Sequence, residues 1–409
     1  MTTALILGAG PAGCAAAYFL RKEGIDDITI YERKKLGGCA HTRFYDGIPY
    51  EFGPQIMFTD KDYLRCIFEE FLPYYPPPNP DGQYKYVASV DGTLDDVHDF
   101  PITVGNVLKM KNPADVIYEL YQINLENPNY ENFEKYCISR VGRTLYETYI
   151  KNYNRKAWQM DPADMDTEWV KFRPLTLQRT ATRFGDQWQG HPGNFNPMWE
   201  QMTAGVRVEC GEVTVGDDLD YYVDQEPIKA DLIVTTLPMS NELEFVNACL
   251  VYIVLKSEKT VMPRAFTTFP NTYDFVRVFE YRQQFYVESE YTLISFGFRW
   301  RHEYAVDEYI EQTFDFCKNV LKKEVVAHWV ESREGVYPLN TRENMKRFQR
   351  LLERTRNRNV IPVGRAGMHA YCSKDTAIRM GLEVARYLDE LLDPDTKIER
   401  LLEMRKDLH

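Results

Sequence analysis

Residues 5–13, Leu5-Ile6-Leu7-Gly8-Ala9-Gly10-Pro11-Ala12-Gly13, decide the fold of this 409-residue chain. The apolar run from Ala4 to Leu7 predicts a buried strand, and the residues from Cys14 to Arg21 have the apolar spacing of a helix. The three glycines of the stretch permit a tight turn, a close approach of backbone to a phosphate, and close packing of the helix on the strand. We therefore expect a strand–turn–helix unit whose helix N-terminus binds a diphosphate.

A second strand, Ile28 to Tyr31, is followed by Glu32, nineteen residues after Gly13. An acid at this spacing is expected to bind the ribose hydroxyls of an adenine dinucleotide. Arg33 and then Gly37-Gly38-Cys39-Ala40 come next, and a paired glycine here resembles the second dinucleotide motif of FAD-binding oxidoreductases rather than an NAD domain. We predict FAD as the cofactor, bound in part by all of these residues.

The composition is that of an ordinary globular protein, with 44% hydrophobic and 27% charged residues. A net charge of -12 argues against nucleic acid as a partner but is compatible with a local basic pocket for a diphosphate. The eight cysteines form no C-x-x-C pair, which predicts reduced thiols, no metal site and a cytoplasmic protein. Since neither a signal peptide nor an apolar run of membrane-spanning length is apparent, we expect no membrane span.

The order of elements predicts an α/β fold class: an FAD-binding Rossmann-like domain with an inserted helical domain and an antiparallel β-sheet domain. Residues 101–189, rich in helix formers, are assigned to the helical substrate domain. Several strands with alternating apolar residues assign 76–100 and 246–335 to the antiparallel sheet domain. The FAD-binding domain is then discontinuous, comprising 1–75, 190–245 and 336–409.

Two later segments are predicted to return to the cofactor. A buried strand from Ala230 to Pro238 includes Thr235, and the strand from Val360 closes on Gly364-Arg365. Ser373 is expected to cap a helix that runs to about Leu392, with its positive N-terminal end toward the cofactor. We assign Asp375 and Ala377, in the first turn of that helix, to the cofactor site.

Together these features are similar to the UDP-galactopyranose mutase family over nearly the whole chain. The best stretch is Tyr149-Ile150-Lys151-Asn152-Tyr153-Asn154-Arg155-Lys156-Ala157-Trp158, in which the family's aromatics clamp the uracil base and line the sugar pocket. The resemblance implies substrate-binding roles for Tyr149, Tyr153, Asn154, Trp158, Thr176 and Trp188. It also implies that Tyr337 and Tyr371 hydrogen-bond the diphosphate, with Arg277 nearby, and we assign these three residues to catalysis.

The implied activity is a redox-neutral interconversion of the pyranose and furanose forms of a nucleotide-linked sugar, UDP-galactose or a related one. In the family, reduced FAD attacks the anomeric carbon and a flavin–sugar covalent intermediate allows the ring to open and reclose as in galactofuranose. The substrate partner is therefore a nucleotide sugar. Whether the protein is a homo-oligomer stays open at this point.

Four departures from the family pattern affect the expected site. Thr176 and Phe296 stand at or near the positions of two family arginines, Phe58 replaces a histidine beside the flavin, and Ser373 replaces an aspartate. Four arginines are close enough in sequence to replace the missing cations: Arg173, Arg179, Arg183 and Arg299.

Two other functions remain as alternatives. An FAD-dependent oxidoreductase of the amine-oxidase type shares the fold but favours an apolar or aromatic cage over a cationic cleft. A diverged flavin-binding protein without turnover would explain the lost arginines. The retained tyrosines and Trp158 favour the mutase, because an oxidase has no use for residues directed at a base and a diphosphate.

Overall fold

The computed structural model describes residues 2–72, 86–167, 177, 188–216, 219–285 and 287–406. Its strands are β1 (Thr3–Leu7), β2 (Asp27–Tyr31), β3 (Arg43–Tyr45), β4 (Ile48–Tyr50), β5 (Met57–Thr59), β6 (Tyr86–Ser89), β7 (Val97–Phe100), β8 (Trp188–Gly190), β9 (Arg207–Glu209), β10 (Val213–Val215), β11 (Tyr221–Val223), β12 (Glu226–Pro227), β13 (Leu232–Thr235), β14 (Phe245–Lys256), β15 (Phe266–Thr268), β16 (Arg277–Glu280), β17 (Tyr291–Trp300), β18 (Val325–Pro338) and β19 (Val360–Pro362). Its α-helices are α1 (Pro11–Lys22), α2 (Asp62–Phe71), α3 (Val104–Lys109), α4 (Pro113–Tyr121), α5 (Phe133–Val141), α6 (Arg143–Leu145), α7 (Lys151–Trp158), α8 (Asn196–Met202), α9 (Tyr281–Phe285), α10 (Val306–Phe316), α11 (Arg342–Arg354), α12 (Gly364–Gly367), α13 (Lys374–Arg386), α14 (Leu388–Leu392) and α15 (Lys397–Lys406).

A five-stranded parallel sheet in the order β19-β13-β1-β2-β9 forms the dinucleotide-binding part of the molecule. The strand β13 is buried along its whole length, as expected for a parallel strand covered on both faces. The strand–turn–helix unit predicted from residues 4–21 is present as β1 and α1. The predicted α/β class with a Rossmann-like domain is therefore confirmed.

The helix α1 packs closely on α13 through small residues. A Cβ atom on Gly381 would lie 2.6 Å from the Ala15 Cβ atom, 2.6 Å from the Ala16 backbone nitrogen and 2.7 Å from the Ala12 carbonyl oxygen. Separations this short are not tolerated, so only glycine allows the two helices to approach each other as they do. This contact joins the first and last parts of the dinucleotide-binding fold.

A second, seven-stranded sheet has the order β18-β14-β17-β16-β15-β6-β7 and is antiparallel except for the pair β15 and β6. Its longest strands are β14, β17 and β18. The strand β18 was not predicted as an element, because only one of its fourteen residues is fully buried and its register with β14 is interrupted by irregularities. This sheet confirms the predicted antiparallel component, and its strands β6 and β7 come from residues before the helical segment.

The helices α3 to α7 form the helical segment with a core of their own, to which Phe133, Cys137 and Tyr146 belong. The predicted helical stretch from Phe133 to Trp158 is divided at Gly142, whose φ of 81° requires glycine, and contains a π-helical turn at Tyr146–Ile150. The Lys156 amine fastens α7 to the seven-stranded sheet by donating to the carbonyl oxygens of Phe269, Tyr273 (2.6 Å) and Phe275 (3.4 Å).

The predicted helix from Ser373 to Leu392 is interrupted at Tyr387, where α13 ends and α14 begins. Ser373 occupies the N-cap position, but the prediction that its side chain caps the helix is wrong. The Ser373 hydroxyl instead donates to the Asp375 carboxylate and lies 3.2 Å from the Thr376 hydroxyl. The Ser373 hydroxyl therefore bonds a side chain of the first turn instead of a backbone N–H group.

Three further observations concern the described part of the chain. None of its helices has the length and apolar character needed to cross a bilayer. None of its histidine, cysteine and acidic side chains gather in threes as a metal site requires. All eight cysteines are free thiols.

We predict that Gly381→Ala lowers the free energy of unfolding by about 1–3 kcal/mol, since the added methyl group overpacks the α1–α13 contact. The second substitution Ala15→Gly is expected to rescue only part of this loss, because two of the three obstructing atoms belong to backbone. Chemical denaturation of the single and double variants measures both effects.

The exposed Arg386, on the same helix, supplies the control. Arg386→Ala should change the free energy of unfolding by less than about 0.5 kcal/mol. Full rescue by Ala15→Gly would contradict the assignment of the obstruction to backbone.

Candidate functional site

The turn between β1 and α1 has the geometry of a dinucleotide loop. Gly8 has a φ of 95°, and a Cβ atom there would overlap the hydroxyl of Thr236. A Cβ atom on Gly13 would overlap the carbonyl oxygen of Gly8, so the helix can begin here only with glycine at that position. Two of the three predicted glycines are thus required by the protein itself.

Gly10 is different, because it faces open space. It is the N-cap residue of α1, Pro11 occupies the first turn, and a Cβ atom on Gly10 would meet nothing within 4 Å. The free N–H groups of the Ala12–Gly13 turn and the positive end of the helix dipole border this space. The arrangement fits a diphosphate at the position that the sequence predicts.

The carboxylate of Glu32 is held at the end of β2 by the two loops beside it. Its Oε2 atom accepts from the Ala9 backbone N–H at 2.8 Å, and its Oε1 atom accepts from the Lys34 backbone N–H at 2.7 Å. Each oxygen keeps a further lone pair, which fits the binding of two ribose hydroxyls. Arg33 is turned away, since its guanidinium pairs with Glu212 at 3.2 Å on the surface.

The second glycine pair packs directly on the first loop. Gly37 donates its N–H to the Ala9 carbonyl at 2.7 Å, and a Cβ atom on Gly38 would lie 3.4 Å from the Gly10 Cα atom. Cys39 and Ala40 complete a 3₁₀ turn with Gly38, and the Ala40 carbonyl accepts from the Trp199 indole at 3.1 Å. The two glycine motifs therefore form one surface.

The C-terminal cofactor candidates border the same helix α1. Gly364 has a φ of 72°, and a Cβ atom on it would lie 3.1 Å from the Ala12 Cβ atom. Thr235, at the end of β13, is fully buried, and Asp375 and Ala377 lie in the first turns of α13. Burial raises the pKa of Asp375.

Three aromatic rings meet beside Arg365. Tyr337 and Tyr371 are stacked with ring centroids 6.0 Å apart, and Trp158 lies edge-on to them at 5.8 Å and 6.0 Å, respectively. The Arg365 guanidinium lies 5.3 Å from the Tyr337 ring centroid and 4.9 Å from that of Tyr371. Its position is fixed by bonds to the Cys372 carbonyl, at 2.6 Å and 3.1 Å. We call the three rings the aromatic cluster.

Two more arginines approach Tyr337 from the seven-stranded sheet. Arg277 on β16 is in register with Gly297 on β17, and Arg299 lies two residues further along that strand, on the same face. Arg299 donates to the Tyr337 hydroxyl at 3.0 Å. We call Arg277, Arg299 and Arg365 the arginine cluster.

The arginine cluster changes the acidity of the phenol. Burial disfavours the charged form of Tyr337, but the positive charges of Arg299, Arg277 and Arg365 outweigh burial and lower its pKa to about 8. Burial and the neighbouring charge of Arg277 lower the pKa of Arg299. The phenol is thus surrounded by cations that lack a full counter-charge.

None of the three guanidinium groups forms an ion pair with a carboxylate in the part of the chain that the structure describes. Burial of several cations without acids costs free energy, and an anionic ligand compensates for that cost. The arrangement is suited to a diphosphate and unsuited to a cationic ligand.

The predicted substrate residues lie in different environments. Tyr153 is buried next to Phe100, with ring centroids 5.5 Å apart. Its phenol interacts electrostatically with the guanidinium groups of Arg277 and Arg299. Tyr149 is only 1% exposed and its hydroxyl lies 2.5 Å from the His98 Nδ1 atom, in the core of the helical segment. Asn154 donates to the Ile150 carbonyl at 2.8 Å. These contacts within the helical segment favour packing roles over substrate contacts for Tyr149 and Asn154.

Two predicted substrate residues and three replacement cations are not placed by the structure. Thr176, Arg173, Arg179 and Arg183 lie outside the described residues, and of Trp188 only the backbone is described. Arg299 is therefore the replacement candidate whose surroundings can be examined. Phe296 is fully buried on the opposite face of β17 from Arg299, among Phe275 and Phe298, and has no contact with the site.

A buried amine that was not among the predicted site residues lies at the start of α13. Lys374, the first residue of α13, donates to the Gln55 side chain at 3.1 Å and lies 4.4 Å from the Phe195 ring centroid. Burial lowers its pKa to about 7, although the nearby Glu51 opposes this effect. No sequence pattern indicates this contact, because the partners are more than three hundred residues apart.

Two family models match the chain. The model for UDP-galactopyranose mutase matches residues 148–310, which include Tyr149, Tyr153, Trp158, Arg277 and Arg299. The model for an NAD(P)-binding Rossmann-like domain matches residues 6–71. The predicted resemblance to the UDP-galactopyranose mutase family is confirmed.

Curated relatives cover part of the chain. A dTDP-fucopyranose mutase of Escherichia coli is 24% identical over 218 residues, 51% of this chain and 56% of that protein. A probable UDP-galactopyranose mutase of Klebsiella pneumoniae is 26% identical over 198 residues, 46% of this chain and 49% of that protein. The chain thus spans about half the length of the curated relatives it matches.

Solved structures share the fold along the whole chain. A crystal structure of reduced UDP-galactopyranose mutase superposes with a TM-score of 0.81 at 16% identity and full coverage of both chains. A putrescine oxidase superposes with a TM-score of 0.63 at 14% identity, covering 95% of this chain and 99% of that one. The family match and the shared fold support FAD as the cofactor.

We predict that Gly10→Ala impairs FAD binding, whereas Gly13→Ala impairs the stability of the protein itself. Gly10→Ala should leave the thermal stability of the FAD-free protein unchanged but weaken FAD binding at least about tenfold, because the methyl group occupies the space for the diphosphate. Gly13→Ala should destabilise the FAD-free protein itself. Thermal unfolding and flavin fluorescence titrations separate the two effects, and equal losses of stability would contradict the assignment.

We predict that Tyr337 ionises near pH 8. Because its pKa is lowered from the usual value of about 10, the phenolate forms as pH rises through 8, and this group adds stability between pH 8 and 10. A tyrosinate absorbance step should be present in the wild type and in Tyr371→Phe, and absent in Tyr337→Phe. Persistence of the step in Tyr337→Phe would show that another group titrates.

Proposed function

We propose that this chain, whose sequence resembles the UDP-galactopyranose mutase family, interconverts the pyranose and furanose forms of a nucleotide-linked sugar on reduced FAD. UDP-galactose and dTDP-fucose are the first candidate substrates, because the matching family and one curated relative carry those names. The proposal places this protein among the isomerases.

The observation that carries the proposal is the arginine cluster around Tyr337. A protein with a net charge of -12 concentrates three cations at one point, and none of them is paired with an acid in the described residues. A nucleotide sugar brings the complementary charge in its diphosphate. Arginine is suited to this task since its planar guanidinium binds phosphate oxygens in pairs.

Each group of the site has a distinct part in the reaction. Reduced FAD, when bound, supplies the nucleophile for the anomeric carbon, so that the sugar ring can open and reclose. The arginine cluster binds the diphosphate and stabilises the negative charge that develops as it leaves the sugar. Arg299 is buried, and the lower dielectric constant of a buried site strengthens such interactions.

The aromatic cluster orients the substrate. The Tyr337 and Tyr371 hydroxyls donate hydrogen bonds to the diphosphate, and Arg299 exchanges its bond to Tyr337 for one to a phosphate oxygen. Trp158 presents its edge to both tyrosine rings and excludes water from one side of the site. The Lys156 contacts to the sheet keep α7, and with it Trp158, in this position.

The arginine cluster also favours this function over the alternative, an amine oxidase. An amine oxidase takes up an amine that is protonated at neutral pH, and three unpaired guanidinium groups repel that cation. The shared fold with putrescine oxidase does not change this argument, because fold alone does not specify a reaction.

The proposal is tested with purified holoprotein reduced by dithionite without air. UDP-galactofuranose and a dTDP-fucofuranose should be converted to their pyranose forms by the reduced protein, and conversion should stop when the flavin is reoxidised. Chromatography of the products measures both reactions. Oxygen-dependent turnover of an amine, with no conversion of either sugar nucleotide, would support the oxidase instead.

We predict that Arg299→Met lowers kcat/KM by about 10- to 100-fold, because it removes a charge-assisted contact of roughly 1.5–3 kcal/mol to the diphosphate. Arg301→Met is the matched control, since Arg301 lies two residues further on and pairs with Glu244 at 2.8 Å outside the cluster. Steady-state kinetics of both variants provide the measurement. Equal kcat/KM values for the two variants would contradict a role of Arg299 in substrate binding.

A further inference from the structure

Arg333 is a cation of the seven-stranded sheet that reaches the dinucleotide loops. It lies on β18 in register with Ala248 of β14. Its Nη2 atom donates to the Gly38 carbonyl at 3.4 Å, and its guanidinium carbon lies 4.9 Å from the Phe52 ring centroid. The side chain therefore connects the sheet with the Gly37–Gly38 turn.

The Gly37–Gly38 turn is itself in contact with the N-terminus of α1. A Cβ atom on Gly38 would lie only 3.4 Å from the Gly10 Cα atom. Gly10 borders the open space at the start of α1, where a diphosphate fits. Gly38 therefore lies between Arg333 and the open space at the start of α1, and Arg333 contacts Gly38 directly.

Arg333 has no carboxylate partner among the residues that the structure describes. The contrast with its neighbour is clear, because Arg43 pairs with Glu331, two residues before Arg333 on the same strand. Its hydrogen bond to Gly38 is long, and most of its five N–H donors have no partner among the described residues. An arginine in this state is ready to bind a phosphate.

Other basic side chains flank the same turn. Lys34 precedes it and His41 follows it. Burial lowers the pKa of Lys34, and the charge of Arg333 adds to that effect. Burial also lowers the pKa of His41, to which the charges of Arg43, Lys35 and Arg333 contribute. Glu32 is the acid nearby, and both of its oxygens already accept backbone N–H groups.

We propose that Arg333 binds the diphosphate of FAD, so that the seven-stranded sheet holds the cofactor from the side opposite to α1. The inference rests on the FAD-binding part of the proposed function and is independent of which sugar nucleotide is converted. A guanidinium from one sheet and the helix N-terminus from the other then enclose one anion. Release of FAD requires loss of both contacts.

The experiment compares the FAD affinity of the wild-type holoprotein with that of three variants, Arg333→Met, Arg333→Lys and Arg43→Met. Methionine keeps the apolar contact with Phe52 but removes the charge. Stepwise dilution of the holoprotein, followed by the recovery of free-flavin fluorescence, gives the Kd for FAD. We expect a Kd increase of about tenfold or more for Arg333→Met, less than twofold for Arg43→Met, and an intermediate value for Arg333→Lys.

The salt dependence identifies the group that Arg333 contacts. If the partner is the diphosphate, the Kd for FAD should rise less steeply with ionic strength in Arg333→Met than in the wild type. Equal Kd values for Arg333→Met and Arg43→Met would overturn the proposal, as would a weaker affinity with an unchanged salt dependence. Because no sugar nucleotide is present, these outcomes are distinct from a failure of the mutase assay.

Discussion

The whole architecture depends on how closely other elements approach the helix α1. Ala12, Gly13 and the alanines that follow are buried, and none carries a side chain larger than a methyl group up to Ala17 except Cys14. A Cβ atom would overlap the Gly8 carbonyl if placed on Gly13 and the backbone of α1 if placed on Gly381. A Cβ atom on Gly364 would lie 3.1 Å from the Ala12 Cβ atom. Small residues on one helix thus bring the first strand, the last strand and the helix α13 around a single N-terminus. The cofactor site is a consequence of this packing.

The second requirement is electrostatic. The chain is acidic overall, yet the arginine cluster and Arg333 lie where the two sheets face the dinucleotide loops, without acids to neutralise them in the described residues. Surface lysines and arginines elsewhere pair readily, as Arg33 does with Glu212 and Arg301 does with Glu244. The unpaired cations therefore mark the part of the molecule where we propose that phosphates bind. An anionic ligand bound at these cations would stabilise the folded protein.

The sequence predicts best those residues whose role is local. Gly8, Gly13 and Glu32 could be assigned because a turn and a strand end determine their surroundings within a few residues. The position of Arg299 could not be assigned in this way. The direction of its side chain depends on the register between β16 and β17 and on Phe296 facing the opposite core. Tyr149 was expected at the base, but a hydrogen bond to His98, 51 residues earlier, holds it in a core. No sequence pattern indicates Lys374 either, because its partner Gln55 lies more than three hundred residues earlier. The sequence thus predicts the fold class and the cofactor loop, but not which side chains face each other across the sheet.

The strand order has a consequence for synthesis on the ribosome. The strand β13 lies between β1, the first strand, and β19, which begins only at Val360. Likewise, β6 can pair with β7 early, but its other edge is completed only by β15, about 180 residues later. Neither sheet can be completed while most of the chain is still emerging, because closure of such long loops precedes the contacts that reward it. The nascent protein therefore has unpaired strand edges for most of its translation, and folding of both sheets becomes a late, nearly simultaneous event that exposes the chain to chaperones.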